Sequence, residues 1–349
     1  MSAFIDVHSP VFPWHLHPAQ LYVLAQEHGI SQASLLQAAE LSAEDITNSE
    51  LLISWRQYRA MAELLEQQGP SHWGILLGQQ LTIASHGLLS LAVMNCTDWQ
   101  QILQLIVRFK NLVTALFYID RYDTDDHVLL LLRPEFSRDP LTDKFVECFF
   151  LAIYQGIVNL SSFRDELVTA CADFRIYLQQ PQPGYAHISQ QAFDHNLQYG
   201  HWCSALKLHR RYLDTPIMAN STNPVTTMNM VALLNGQMQH LPRLHGELHA
   251  LHQQFKQHNF TLEGCANALH TSPTTLKRRL KQASSSFNRE LVRYRYETAC
   301  YQLCYSRLSA DDIGQQLGFQ DAGSFRRFFK THTSLTPNHY RQAHFDPAS

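Results

Sequence analysis

This 349-residue sequence predicts an α+β N-terminal domain followed by an all-α domain in which two helix-turn-helix units are joined by a long helix. Three observations carry that reading. Helical and strand-like hydrophobic periods alternate over roughly the first two hundred residues; only helical periods follow Val225; and a capped helix, a tight turn and a basic helix are written twice. A chain of this length makes two domains on the usual size prior, and 45% hydrophobic residues suffice for two buried cores.

The elements follow in order. Between residues 18 and 111 the pattern is helical, with Leu21, Leu24, Ala25 and His28 on one stripe and Trp55, Tyr58, Met61, Ala62 and Leu65 on another, the latter stopped by Gly69-Pro70. Two strand-like runs, 115–119 and 128–132, flank the charged turn Asp123-Thr124-Asp125-Asp126. After Pro140 a long helix carries Phe145, Phe149, Ile153 and Ile157 at helical spacing. That stripe reads first as core; if it lines a cavity, the ligand is largely apolar. Strand-like segments return near 170–178 and 205–208, and Pro216, Asn220, Ser221, Asn223 and Pro224 have the chemistry of a linker. The expected domains are therefore 1–215, a linker over 216–241, and 242–345.

The repeated unit is the most informative feature. Thr261 caps a helix with Glu263 in its positive first turn and Cys265, Ala266 and Leu269 facing inward. After a turn at His270-Thr271, Ser272 caps a second helix, and Pro273 sits at the first helical position, where a missing N–H costs nothing. Leu276 and Leu280 bury one face, leaving Thr274, Thr275, Lys277, Arg278 and Lys281 free to meet base edges or phosphates. The second unit repeats this with Ser309 as cap, Ile313 and Leu317 inward, Gly318 at the turn and Phe325 and Phe329 as the buried face. Its outward residues are Gly323, Ser324 and Arg327, with Arg326 and Lys330 at the flanks. Cys265 to Ile313 and His270 to Gly318 are both separated by forty-eight residues. Between the units, a helix from about Phe287 to Tyr305 spans roughly 25–29 Å at 1.5 Å per residue. That length suits two readers set in successive major grooves of a duplex that repeats every ~34 Å.

Charge agrees. Residues 242–345 hold fourteen Lys and Arg against seven Asp and Glu, a formal +7, while the rest of the chain holds thirteen against twenty-three, a formal −10. A basic segment on an acidic chain is the electrostatic footprint of a nucleic-acid contact, because clustered cations release the counterions of phosphates.

Residues 260–342 resemble the DNA-binding domain of the AraC/XylS class of bacterial transcription regulators, most closely in Asp312-Ile313-Gly314-Gln315-Gln316-Leu317-Gly318-Phe319-Gln320-Asp321-Ala322-Gly323-Ser324-Phe325-Arg326-Arg327-Phe328-Phe329-Lys330 and Thr336-Pro337-Asn338-His339-Tyr340-Arg341. His270 and Gly314 depart from that pattern, which commonly has a smaller residue and Ala there. The N-terminal part is similar to the sensor domain of one branch of the family, on Leu88-Leu89-Ser90-Leu91-Ala92 followed by a helix ending Arg108-Phe109. The label of that domain mentions arabinose, but nothing in these residues indicates a sugar. The resemblance implies a homodimer that binds double-stranded promoter DNA, usually activates, works with RNA polymerase and responds to an unidentified small-molecule effector. It also implies that Thr274, Lys277 and Arg278 face bases in the first reader and Gly323, Ser324 and Arg327 in the second.

Rival chemistries find less support. His245, His249 and His252 have ligand spacing on one helical face, but no carboxylate or thiol completes a set, and a solvated face is the expected reading. Trp14-His15-Leu16-His17-Pro18 reads as an ordered arm. No glycine-rich phosphate loop, Gly-x-Ser-x-Gly or His-Glu-x-x-His occurs, so no enzyme, cofactor or metal is expected. Seven scattered cysteines without Cys-x-x-Cys read as buried thiols in a reducing compartment. The N-terminus lacks the basic and apolar regions of a secretion signal, and apolar runs such as 149–154 stop short of the ~20 residues a membrane span needs, so a cytoplasmic protein is expected. The alternative function is a constitutive architectural DNA binder whose first domain only dimerises.

Overall fold

A computed structural model describes residues 5–82, 87–112, 114–136, 138–161, 173–216, 224–240 and 246–344. Its contacts divide the chain into two units, the second beginning, apart from a short loop segment, at Gly246.

In the first unit, strand β1 (Pro10–Pro13) pairs antiparallel with β2 (Leu52–Ser54), bracketing helices α1 (His17–Glu27) and α2 (Gln32–Ala38). The stretch read as an arm therefore runs from the end of a strand into a helix. His17 is buried with its ring 4.7 Å from that of Phe149. On α1 the buried stripe is Leu21, Tyr22, Leu24 and Ala25, while His28 falls at the C-cap and is exposed. Helix α3 (Trp55–Gln68) starts at a reciprocal cap, Ser54 Oγ accepting from Gln57 N while Gln57 Oε1 accepts from Ser54 N. All five residues expected on its inner face are buried, and it ends before Gly69.

Helices α4 (Trp73–Gln80), α5 (Leu88–Val93) and α6 (Trp99–Phe109) lead to the hairpin β3 (Phe117–Asp123) and β4 (His127–Pro134) and then to α7 (Pro140–Ser161). Strand β5 (Arg175–Tyr177), α8 (Ala186–Ala192), β6 (Leu197–Gln198) and β7 (Ala205–His209) complete a five-stranded sheet in the order β3-β4-β7-β5-β6, with β5 antiparallel to β7 and parallel to β6. The expected strand near 170–178 is realised at Arg175–Tyr177; its first residues lie outside the described ones. Two-residue β6 and the short β1–β2 pair carry too little alternation to be read from sequence. Within the stretch expected as a linker, residues 224–240 form helix α9 (Pro224–His240), which packs on α5 and buries Leu234.

The second unit holds α10 (Glu247–Lys256), α11 (Leu262–Ala268), α12 (Pro273–Gln282), α13 (Phe287–Tyr305), α14 (Ala310–Gln316), α15 (Ala322–Thr333) and α16 (Pro337–His344), and no strand among its described residues from Gly246 onward. Cys96, Cys148, Cys203, Cys265, Cys300 and Cys304 are free and buried; Cys171 lies outside the described residues. Among the described residues no helix is long and apolar enough to cross a membrane.

One crossing in the first unit depends on missing side chains. Helix α4 meets α7 along Gly74 and Gly78, where an added Cβ would stand 2.6 Å from the Lys144 carbonyl oxygen and 2.9 Å from that of Cys148. Both obstacles are backbone of a packed helix and cannot swing aside. Gly74→Ala is therefore expected to cost about 1–3 kcal/mol of stability, despite its better helix propensity; denaturant unfolding would show it, and a stabilised variant would contradict this packing.

Candidate nucleic-acid interface and effector cavity

Each reader in the second unit is built from the same parts. Thr261 Oγ1 accepts from Gly264 N at 3.1 Å to start α11, and Ser272 Oγ accepts from Thr275 N at 3.1 Å to start α12. Ser309 Oγ accepts from Asp312 N at 3.1 Å to start α14. Helix α15 is capped by Asp321, whose Oδ1 accepts from Ser324 N at 2.7 Å, a cap the sequence reading did not name. The turns match bond for bond. His270 N donates to Asn267 O and Thr271 N to Ala266 O; forty-eight residues on, Gly318 N donates to Gln315 O and Phe319 N to Gly314 O. Past the turn the offset becomes forty-nine, since Ser272 corresponds to Asp321, Leu276 to Phe325 and Leu280 to Phe329. The second turn is one residue longer, yet both helices bury the same face.

On that alignment Thr274, Thr275, Lys277, Arg278 and Lys281 stand in α12 where Gly323, Ser324, Arg326, Arg327 and Lys330 stand in α15. Thr274, Lys277, Arg278 and Lys281 are exposed and Thr275 half-buried; Arg326, Arg327 and Lys330 are exposed, with Gly323 and Ser324 half-buried. Lys277, Arg278, Lys281 and Lys330 carry no ion pair among the described residues. The second reader is more engaged with itself: Arg326 pairs with Asp311 at 2.7 Å, Ser324 Oγ donates to Asp321 Oδ2 at 2.6 Å, and Arg327 donates to Ser324 Oγ at 3.2 Å. Arg279, also on α12, points inward and pairs with Glu247 at 3.1 Å.

Helix α13 runs nineteen residues, about 28 Å at 1.5 Å per residue. Its buried face holds Glu290 and Glu297 beside Tyr294, Cys300 and Leu303, while Leu291, Thr298 and Tyr301 are only half-buried. Burial raises the Glu290 carboxyl, but a hydrogen bond from His252, the charges of Arg293 and His252 and a bond from Ser285 outweigh it and bring the group down to about 2. His252 Nε2 lies 3.1 Å from Glu290 Oε2, so one of the three histidines with ligand spacing is already committed to a carboxylate. His245 lies outside the described residues.

Arg295, midway along α13, is the functional residue that sequence reasoning missed. It donates from Nε to Leu317 O at 2.9 Å and from Nη2 to Gly318 O at 3.2 Å, closing the end of α14. Its guanidinium lies 5.5 Å from the Phe260 ring centre, just before α11, and 4.5 Å from that of Phe319, just after the second turn. His258 adds a contact of 3.0 Å from Nδ1 to Gln316 O. One side chain thus touches the start of one reader and the turn of the other. In sequence it is one arginine among several on a helix, with nothing to mark it as inward.

The first unit holds a cavity of about 140 Å³ between α5, α6, α7 and strands β3, β4 and β7. Phe149, Ile153 and Ile157 of the expected stripe line it. Phe145 does not, and is buried instead against Trp55, Tyr58 and Trp73. Lys110 is the one charged lining residue, and burial, against the opposing pull of Glu135, brings its ammonium down to about 8.

The two turns make opposite demands on residue type. His270 is exposed at φ 52°, where a side chain costs roughly 1–2 kcal/mol, whereas Gly318 adopts φ 74° with Phe260 Cδ2 2.5 Å from where a Cβ would stand. His270→Gly is expected to raise stability by up to ~1 kcal/mol, and Gly318→Ala to lower it by at least ~1 kcal/mol. Thermal unfolding of the two variants reads the difference, and a destabilised His270→Gly would contradict it.

Comparison with known proteins agrees with this arrangement. Residues 29–217 match the family model described as the arabinose-binding domain of AraC transcription regulator, N-terminal, and residues 265–343 match a helix-turn-helix domain. The chain is 25% identical over 333 residues to the ornithine utilization regulator of Pseudomonas aeruginosa, covering 92% of this chain and 93% of that one. Over 88 residues, 25% of this chain and 30% of the other, it is 33% identical to the urease operon transcriptional activator of Escherichia coli. The crystal structure of transcriptional regulator CdpR from Pseudomonas aeruginosa is similar at 18% identity and a TM-score of 0.42, over 91% of this chain and 98% of that one. These relatives are transcription regulators rather than enzymes. With one family model spanning more than half of the chain and a second covering the paired readers, the protein belongs to the AraC/XylS family, as a sequence-specific DNA-binding transcription regulator with an arabinose-binding-type N-terminal domain.

Proposed function

We propose that this regulator is a homodimeric, effector-responsive activator whose second unit holds α12 and α15 in successive major grooves of promoter DNA, where RNA polymerase is recruited. The observation that carries the reading is the pair of basic helix faces attached to the two ends of one nineteen-residue helix. In the first reader Thr274, Lys277 and Arg278 contact bases, with Thr275 and Lys281 beside them. In the second, Gly323, Ser324 and Arg327 face the bases, and Arg326 and Lys330 the phosphates. Gly323 brings no side chain, and Ser324, Arg326 and Arg327 are already hydrogen-bonded within the protein. The first reader therefore carries more of the base discrimination and the second more of the backbone affinity. The apolar cavity of the first unit supports a sensor over a domain that only dimerises, because a ligand that binds one conformation better shifts the population toward it.

Two measurements test this. On operators selected from random DNA, Arg278→Ala should relax base preference with a loss on the order of 10- to 100-fold on the preferred site. Lys330→Ala should weaken all sequences alike and reduce the salt slope by about one. Equal, sequence-independent losses in both variants would count against the division of labour. For the sensor, a broad metabolite panel should raise the melting temperature of the full chain with at least one compound, since binding to the native state alone stabilises it. A panel without any hit favours the architectural alternative.

A further inference from the structure

The cavity of the first unit sets a specific electrostatic problem. Lys110 is its single charged lining side chain, among aliphatic and aromatic groups, with Ser90, Thr114 and the indole N–H of Trp99 as the other side-chain polar groups of the lining residues. A buried ammonium needs acceptors and a countercharge, or its desolvation is not offset. Nζ donates to Asn111 Oδ1 at 2.6 Å and to the Phe117 carbonyl oxygen. Glu135, 1% exposed, stands 3.9 Å away, near enough to balance the charge but beyond hydrogen-bond distance. An ammonium has three N–H groups. Protein acceptors take two of them among the described residues, which leaves one for whatever fills the cavity.

Size and charge then limit the occupant. A dry cavity of roughly 150 Å³ lined by Leu, Ile and Phe holds a benzene ring in another protein, and this one measures about 140 Å³. One ring with a short substituent is therefore the right scale. Lys110 and Glu135 together carry no net charge, so a neutral occupant preserves the buried balance. A carboxylate would bring a second anion close to Glu135, and an amine a second cation close to Lys110.

We propose that this cavity binds a small, neutral, largely apolar compound of about one ring, bearing a single acceptor oxygen, a ketone or hydroxyl, that takes the remaining N–H of Lys110. The inference rests on the reading of the first unit as an effector sensor and names the chemical class it senses. Four probes of similar size, differing at one group, test it by calorimetric titration and thermal shift of the full chain: acetophenone, ethylbenzene, benzoate and phenethylamine. Acetophenone should bind most tightly, ahead of ethylbenzene by a factor on the order of ten, the scale of one hydrogen bond from a charged donor, with benzoate and phenethylamine last. The double variant Lys110→Met with Glu135→Gln keeps the buried charge balanced. It should remove the preference for acetophenone over ethylbenzene while ethylbenzene still binds. The ranking in the unaltered protein stands as a test even where that variant fails to fold. Benzoate or phenethylamine ahead of acetophenone, or ethylbenzene equal to it, would overturn the inference and leave the sensor reading intact. No binding by any of the four would also overturn it, while the broader panel decides the sensor reading on its own.

Discussion

The geometry of the DNA-binding unit depends on how Arg295 is held. A guanidinium drawn partly out of water is costly unless its donors and its face are occupied. Here two carbonyl oxygens at the end of α14 accept from it, and the rings of Phe260 and Phe319 lie within reach of its face. Those contacts join the lead-in to the first reader, the middle of the spacer helix and the turn of the second reader. Gly318 belongs to the same constraint, because the Phe260 ring occupies the volume that any side chain there would need. At the far end, Arg341 repeats the device with carbonyl oxygens of Leu303 and Leu308, tying α16 to the end of α13. The two readers are therefore fixed to the spacer by side chains as well as by the chain itself.

The same unit sorts its cations by environment. Arg279 and Arg293 face inward and are matched by Glu247 and Glu290, so they contribute to cohesion and little to an external field. Lys277, Arg278, Lys281 and Lys330 project from the surface and contribute to that external field. Arg326 stands between these cases, exposed but paired with Asp311, an ion pair that water and salt screen and that a phosphate could replace at small cost. Net charge alone would not have separated these groups.

The first unit treats charge in the opposite way. The cavity between α5, α6, α7 and the sheet is mostly apolar, and the ammonium of Lys110 is answered by Glu135, from outside the lining, and by the main-chain carbonyl of Phe117, within it. A polar group so placed gives a loosely shaped apolar pocket a direction, which is how few polar contacts orient ligands in mostly hydrophobic sites. At Gly74 and Gly78, α4 closely approaches α7, the helix that carries Phe149 and Ile153.

Sequence alone determined the elements whose signals are local. The caps at Thr261, Ser272 and Ser309, the spacer helix from Phe287 to Tyr305, the stop at Gly69 and the buried pairs Leu276 with Leu280 and Phe325 with Phe329 all follow from neighbours within a few residues. So did the outward set of cations, because a helix with one apolar face has one free face. What needed the tertiary structure were relations between distant residues. These include the helix within the presumed linker, the two buried glutamates of α13, the one-residue shift between the repeats, the inward turn of Arg295, and the division of one stripe into cavity wall at Phe149 and core at Phe145. Periodicity states which side of a helix is apolar, but whether that side meets packed atoms or a void, and whether a charge meets water or a partner, is set by elements far away in the chain.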